Sequence, residues 1–435
     1  MFGLYEKKIG ENKMTNEMEY LMYLFACGAK GKTASPPEKK VDWNKILDLA
    51  INQSITYTVA MAIKKSETGC PEELRNRFIA MLRGGAIKNA IKTEGILKLV
   101  NKMKDEGIDV IIIKGIDVSR YYANPECRIS ADTDLLIKPV DEKRAICFLK
   151  KEGFFITGRK ATDYHSEATH PLLGMVELHI KLLPDIFNLE IFEEGQLEKS
   201  AFSEKKQVDY YELPFYGLSA TNNIIFLTYH MMKHLMVSGI SLGMIMDFLL
   251  YSKNNIDRID KKIYKDMLKN THYYHTMQLI LGLSVKYFGF NENDFPIKPL
   301  IQDDEISLIL SDLEDGGWQG LNEASKRYDF YKYYLRKRTL HGDQKKKNNF
   351  FLGKEYFSFR VSKVFLPMSE MKKSYPLLNQ YAFLYFAFSL HRIVSKISVR
   401  FSMLILDKKK YNVNEAEFTE LNDKRIEMFK KLEIM

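Results

Sequence analysis

Cysteine is scarce in this sequence. Cys27, Cys70, Cys127 and Cys147 lie far apart, with no C-x-x-C pair. That spacing argues against a disulfide framework and against a cysteine zinc site. Long apolar runs are also missing. The richest, "YAFLYFAFSL" at 381–390, falls well short of the roughly 18 residues that mark a membrane span. The opening "MFGLYEKKIGENKM" holds no apolar stretch of the secretory kind. The expectation is a reduced, cytoplasmic protein with no transmembrane segment. Charge of one sign does not dominate. Lys and Arg number 65 against 56 Asp and Glu, a net +9 that allows a polyanionic partner without requiring one. Internal repeats and long low-complexity tracts are absent.

What is present is a change of period along the chain. With 435 residues there is room for two or three cores. Residues 1–100 read as a helical region, with apolar positions at helical spacing in "NEMEYLMYLFACGA" and Asp42 placed to cap "WNKILDLAIN". Residues 101–218 read as a mixed α/β core. "IDVIIIKG" (108–115) is a short β-branched run ending in glycine, and "MVELHIKLL" (175–183) alternates strictly. "FFITGRK", "HSEATHPLL" and "QVDYYELPFYG" are weaker strand candidates, and "VDEKRAICFLKKEG" is an amphipathic helix stopped by Gly153. Helical spacing returns over 219–340. The basic stretch "GDQKKKNN" (342–349) suggests a hinge before an aromatic and basic helical tail, 341–435.

The stretch "RISADTDLLIK" (128–138) puts Asp132 and Asp134 two residues apart at the head of an apolar run. On a strand, such side chains point to the same side. Two adjacent carboxylates repel unless a cation lies between them. Glu177 stands on the polar side of another strand, sharing that side with His179. Three carboxylates at one sheet edge form an oxygen cage that suits Mg²⁺ or Mn²⁺. Upstream, Lys114-Gly115 sits where a strand turns into a helix, a place where backbone N–H groups can receive phosphate. Metal carboxylates beside a phosphate cradle are the equipment of nucleotidyl transfer.

The order of these motifs resembles the nucleotidyltransferase superfamily built like the palm of DNA polymerase beta. It is similar in particular to a family of poorly characterised bacterial nucleotidyltransferases: K-G, then Tyr, then Arg before D-x-D, then E-x-H. The "HMMKH" of His230 and His234, followed by Asp247, also fits that pattern. The resemblance implies an α+β fold, with a polymerase beta-like core and small mixed sheet flanked by helical regions. It implies Asp132, Asp134 and Glu177 as metal ligands and catalytic groups. Lys114, Gly115, Arg128 and Ser130 would bind nucleotide or phosphate, Arg128 either neutralising phosphate or bracing the aspartates. His179, His230, His234 and Asp247 would be auxiliary. The implied substrates are a nucleoside triphosphate and a hydroxyl acceptor: a small molecule, an RNA end or a protein side chain. Two departures stand out. The turn reads Gly115-Ile116-Asp117, without the usual serine, and the interval from Gly115 to Asp132 is long.

Other readings compete. D-x-D also serves nucleotide-sugar glycosyltransferases, whose folds place several strands ahead of the motif; here one convincing strand precedes it. A non-catalytic nucleotidyltransferase fold, acting as a regulatory or toxin–antitoxin module, would tolerate the missing serine. His230 and His234, at i and i+4, share a helix face; packing beneath the site, or reaching into it, suits them better than zinc, with Asp247 as their structural partner. Phe383, Tyr385, Phe386 and Phe388 are too dense for one helix face. They suggest a buried helix, or one that docks on a partner or membrane surface.

Overall fold

A computed structural model describes residues 14–157, 165–182, 196–237, 239–316, 381–385 and 428–433, with single positions at 368, 371, 375, 378 and 388. The chain divides into two compact units. The first, Met1–Arg159 with Asp163–Ala324 and Met428–Met435, carries everything discussed below. The second is Lys160–Thr162 with Ser325–Glu427. Its described positions include a 3-10 turn at Ala382–Leu384, where Phe383 is exposed. Tyr385 and Phe388 are half-buried, while Phe386 and the "GDQKKKNN" stretch lie outside the described residues.

The N-terminal region is helical, as its spacing predicts. Helix α1 (Asn16–Lys30) starts where the Thr15 hydroxyl accepts from the Met18 N–H, and stops at Gly31 in the left-handed region. The Asp42 side chain caps α2 (Trp43–Asn52), as expected. Helix α3 (Thr56–Lys65) packs on α4 (Glu72–Asp105). At 34 residues, α4 merges what reads in sequence as several helical patterns. Its buried residues Leu74, Phe78 and Leu82 lie in the first half, and Ile96, Leu97, Val100 and Met103 in the second. The second half reaches the sheet.

The sheet has seven strands: β1 (Val110–Ile113), β2 (Asp132–Ile137), β3 (Phe155–Thr157), β4 (His165–His170), β5 (Gly174–His179), β6 (Lys206–Tyr210) and β7 (Leu213–Gly217). Their spatial order is β3-β4-β5-β2-β1-β7-β6. β1 and β2 are antiparallel, while β2 with β5 and β1 with β7 are parallel. The two central strands are covered on both faces, which is why β1 is an unbroken apolar run. Short helix α5 (Gly115–Ser119) follows β1, and α6 (Glu142–Lys151) follows β2. On one face, Val110, Ile112, Leu135, Ile137, Val176 and Leu178 pack with the end of α4 and with α6. On the other, Ile111, Ile113 and Leu136 meet Leu197 and Ala201 of α7 (Gln196–Ser203) and Phe226 of α8 (Ala220–Val237). Helices α9 (Leu242–Asn255), α10 (Lys261–Asn270), α11 (Tyr274–Phe288) and α12 (Asp303–Gly316) complete the unit.

Among the described residues one strand precedes β2, and it is antiparallel to it. The several-stranded sheet that a nucleotide-sugar glycosyltransferase places ahead of its D-x-D is not what these residues form.

Candidate metal and nucleotide site

Period-two alternation sends Asp132 and Asp134 of β2, and Glu177 and His179 of β5, to the α8 side of the sheet. Val176 and Leu178 go to the opposite core. The parallel register then sets Asp134 directly beside Glu177, and Leu136 beside His179. One carboxylate oxygen from each of Asp132, Asp134 and Glu177 lies within 4.8 Å of the others. Asp134 is 2% exposed, and its Oδ2 faces the Lys114 ammonium at 2.9 Å. Three carboxylates gathered this closely, an all-oxygen cluster, fit a hard divalent cation such as Mg²⁺ or Mn²⁺.

Two cationic groups balance the carboxylates. The Lys114 ammonium lies 2.9 Å from Asp134 Oδ2 and 3.8 Å from Asp132 Oδ2. It also donates to His230 Nε2 at 3.0 Å, since an ammonium can only donate. Burial works against the Lys114 charge, but Asp134 and Asp132 outweigh it and raise its pKa. His179 Nε2 donates to Asp134 Oδ1 at 3.0 Å and lies 3.3 Å from Glu177 Oε2. Burial likewise opposes charge on Asp134 and Glu177. Lys114 and His179 outweigh it at Asp134, and His179 does so at Glu177, so both carboxyls titrate below their ordinary range. His165, across the β4–β5 pair from His179, completes a second cluster of possible ligand atoms with Glu177 and His179. Sequence reading missed His165; its strand alternation places it on the Glu177 face, and that was the available signal.

His230 and His234 line the cleft beside the site, their rings 4.6 Å apart on α8. Burial, followed by the Lys114 charge, pushes the His230 pKa well below its ordinary value. Burial pushes His234 down to about 3. His230 is therefore neutral and able to accept from Lys114.

Several of the predicted site residues have partners that the sequence did not indicate. Among the described residues Arg128 forms no ion pair with Asp132 or Asp134, and its partner is Asp247. Its Nε and Nη2 bind Asp247 Oδ1 and Oδ2 at 2.8 and 2.6 Å, because α9 brings Asp247 to the loop before β2. Asp247 consequently partners Arg128 and the Tyr122 hydroxyl, at 2.7 Å, rather than the histidines. Ser130 donates its hydroxyl to the Asp132 carbonyl at 2.7 Å, which leaves it only lone pairs to offer a ligand. At the K-G turn both Lys114 and Gly115 have positive φ, 62° and 31°, and α5 runs for only five residues. Asp117 is fully buried and holds Asn223 and Arg120; it occupies the turn for structural reasons.

Two clefts meet at Asp132. The larger, about 120 Å³, opens between the N-terminal helices and α8–α9 and is lined by Lys114, Arg128, His230, His234 and Ser241. The smaller, about 30 Å³, lies against α4 and is lined by Lys92, Gly115 and Thr133. Arg128, Ser130 and Asp132 border both. Lys92, which sequence reading did not single out, donates to the Ser130 and Asp132 carbonyls at 3.2 and 3.4 Å, and burial lowers its pKa.

A mixed sheet carrying paired aspartates on one strand and a glutamate on its parallel neighbour, with helices on both faces, defines an α+β nucleotidyltransferase-type core. The profile of a family described as uncharacterised nucleotidyltransferases matches residues 39–289, more than half of the chain. The protein belongs to that family. No curated protein and no solved structure matches the chain. No helix among the described residues is long and apolar enough to cross a membrane.

Proposed function

We propose that the protein is a metal-dependent nucleotidyltransferase that moves a nucleotidyl group from a nucleoside triphosphate to a hydroxyl acceptor and releases pyrophosphate. One observation carries the reading: one carboxylate oxygen from each of Asp132, Asp134 and Glu177 lies within 4.8 Å of the others. Asp132, Asp134 and Glu177 would hold Mg²⁺ or Mn²⁺, which when bound withdraws charge from phosphate oxygens and favours an ionised hydroxyl.

The acceptor oxygen forms a bond to the α-phosphorus, the bond from that phosphorus to its bridging oxygen breaks, and the electron pair leaves with pyrophosphate. Lys114 stays protonated and keeps Asp134 from repelling Asp132. His179 fixes the carboxyl orientations of Asp134 and Glu177. Glu177 would hold the ion or take the hydroxyl proton, which in either case ends in solvent. Lys114, His230 and Ser241 give the larger cleft polar walls for an acceptor.

The test is incubation of pure protein with α-labelled nucleoside triphosphates and Mg²⁺ or Mn²⁺, alongside calorimetric titration of each nucleotide. Label transfer or metal-dependent nucleotide affinity, lost in Asp134→Asn, supports the reading. No nucleotide binding under any metal condition defeats it. Affinity without turnover on any acceptor, unaffected by Asp134→Asn, favours a non-catalytic module instead.

A further inference from the structure

We infer that the polyphosphate tail of the nucleotide lies against α4, where Lys92 receives it and Lys88 extends the positive strip outward. The inference rests on the nucleotidyltransferase reading above and deepens it by assigning the two clefts at Asp132 to different ligand groups.

Lys92 forms no ion pair among the described residues; its acceptors there are two backbone carbonyls, Ser130 O and Asp132 O. An ammonium has three N–H donors and a full charge, so a partly buried lysine in that state has an anion's place open beside it. Every other cation near the paired aspartates is matched. Lys114 faces Asp134, and Arg128 is held by Asp247. Among the described residues, Lys92 is the charge at this site left to meet a ligand.

Its surroundings suit phosphate. Lys88 lies one turn earlier on α4, exposed and also without an ion pair among the described residues, and positions four apart share a helix face. Asp132 is the strongest charge acting on Lys92, and Arg128 and Lys88 act on it as like charges, so a metal that neutralised the carboxylates would leave three cations facing this edge. No side chain rises from Gly115 into the cleft, and no atom lies within 4 Å of where its Cβ would stand. The turn after β1 lacks a serine, so a cation from α4 takes over the part that a hydroxyl there would play. The small cleft and the carboxylate cluster share Asp132. A metal held by the carboxylates could therefore touch the α-phosphate while the outer phosphates extend toward Lys92. The larger cleft, on the α8 side, is left for the acceptor.

The competing account is structural. Lys92 and Asn89, which donates to the Glu126 and Arg128 carbonyls, would merely pin the loop ahead of β2. Calorimetry on the full chain with Mn²⁺ separates the two, using a nucleoside triphosphate, its monophosphate and inorganic tripolyphosphate. Lys92→Gln should weaken triphosphate and tripolyphosphate about tenfold or more, with monophosphate and Mn²⁺ affinity within about twofold; Lys92→Arg should retain most of the binding, and Lys88→Gln should lose less, in a salt-dependent way. Equal losses for mono- and triphosphate, or no loss, overturn the inference. A second measurement needs no variant: acylation of Lys92 in the wild-type protein, read by mass spectrometry, should be slowed by triphosphate and not by monophosphate, and equal labelling overturns it. Wild-type protein that binds no nucleotide defeats both readings. Wild-type protein that binds triphosphate while Lys92→Gln binds it equally defeats this one alone.

Discussion

Arg128 and Asp247, 119 residues apart, form a two-pronged ion pair, Nε to Oδ1 at 2.8 Å and Nη2 to Oδ2 at 2.6 Å. Their side chains are 11% and 7% exposed, and the Tyr122 hydroxyl adds a third bond to the same carboxylate. The pair ties α9 to the loop that delivers Asp132. Removing one member of a buried pair strands the other charge, at a cost of about 3–5 kcal/mol. Asp247→Ala should destabilise the protein by about that much in urea melts. The double variant Arg128→Met, Asp247→Leu should recover most of it. A cost for the double variant equal to the sum of the singles would show that the pair is not coupled.

The carboxylates differ in what else they hold, so their variants should differ too. Asp134 carries Lys114 and His179 as well as its share of a metal, whereas Asp132 is more exposed and lies 3.8 Å from Lys114. Without added metal, Asp134→Asn should lower stability by more than about 1 kcal/mol, because Lys114 is left buried without its main counter-charge. Asp132→Asn should change it little. With Mn²⁺ the order of importance converges. Wild-type protein should melt at a higher temperature with the ion, and Asp132→Asn, Asp134→Asn and Glu177→Gln should each lose most of that rise. Thermal melts with and without Mn²⁺ read both effects. An undiminished rise in all three variants rules out this cluster as the metal's seat.

Stability should also fall in mild acid, for a reason centred on α8. Burial puts the His234 pKa at about 3 and His230 well below its ordinary value. Once the chain unfolds, both return to about 6.5. Between those values the unfolded chain binds protons that the folded one refuses, so unfolding becomes easier as pH drops through about 6 toward 3. Each histidine contributes a slope of up to about 1.4 kcal/mol per pH unit. His234→Gln should flatten the acid limb measured by urea melts at a series of pH values. An unchanged slope would show that His234 takes up its proton while folded.

The site's inner carboxylates were legible because a strand alternates with a period of two. The spacing of Asp132 with Asp134, and of Glu177 with His179, is enough to give each pair a shared side. Their meeting depends on β2 and β5 being parallel neighbours, which their own sequences do not state; the motif order suggested it. Long-range partners were not legible. Nothing local in "RISADTD" indicates that Arg128 reaches α9, and an i, i+4 pair such as His230 and His234 draws attention away from Asp247. Lys92 went unnoticed for a similar reason. On an amphipathic helix rich in lysine, one lysine looks like another until the helix is placed. Gly84 and Gly85 stand side by side in α4, and the helical spacing of the sequence continues through them as the helix does.

Those two glycines give adjacent substitutions with opposite expected signs. Gly84 is exposed, and no atom lies within 4 Å of where its Cβ would be. Gly84→Ala should stabilise the protein by about 0.5–1 kcal/mol, because alanine loses less backbone entropy in a helix. Gly85 is buried, and a Cβ there would meet the Tyr57 ring at 2.0 Å, nearer than any real contact. The ring or the helix must move, so Gly85→Ala should cost about 1–3 kcal/mol. Tyr57→Ala in the same chain should remove that clash, leaving the alanine at 85 neutral or favourable against a Tyr57→Ala background. Urea melts of the four chains decide it. If Gly85→Ala costs as much without the ring as with it, α3 and α4 do not touch at that point, and the long helix is held against the N-terminal region by other contacts.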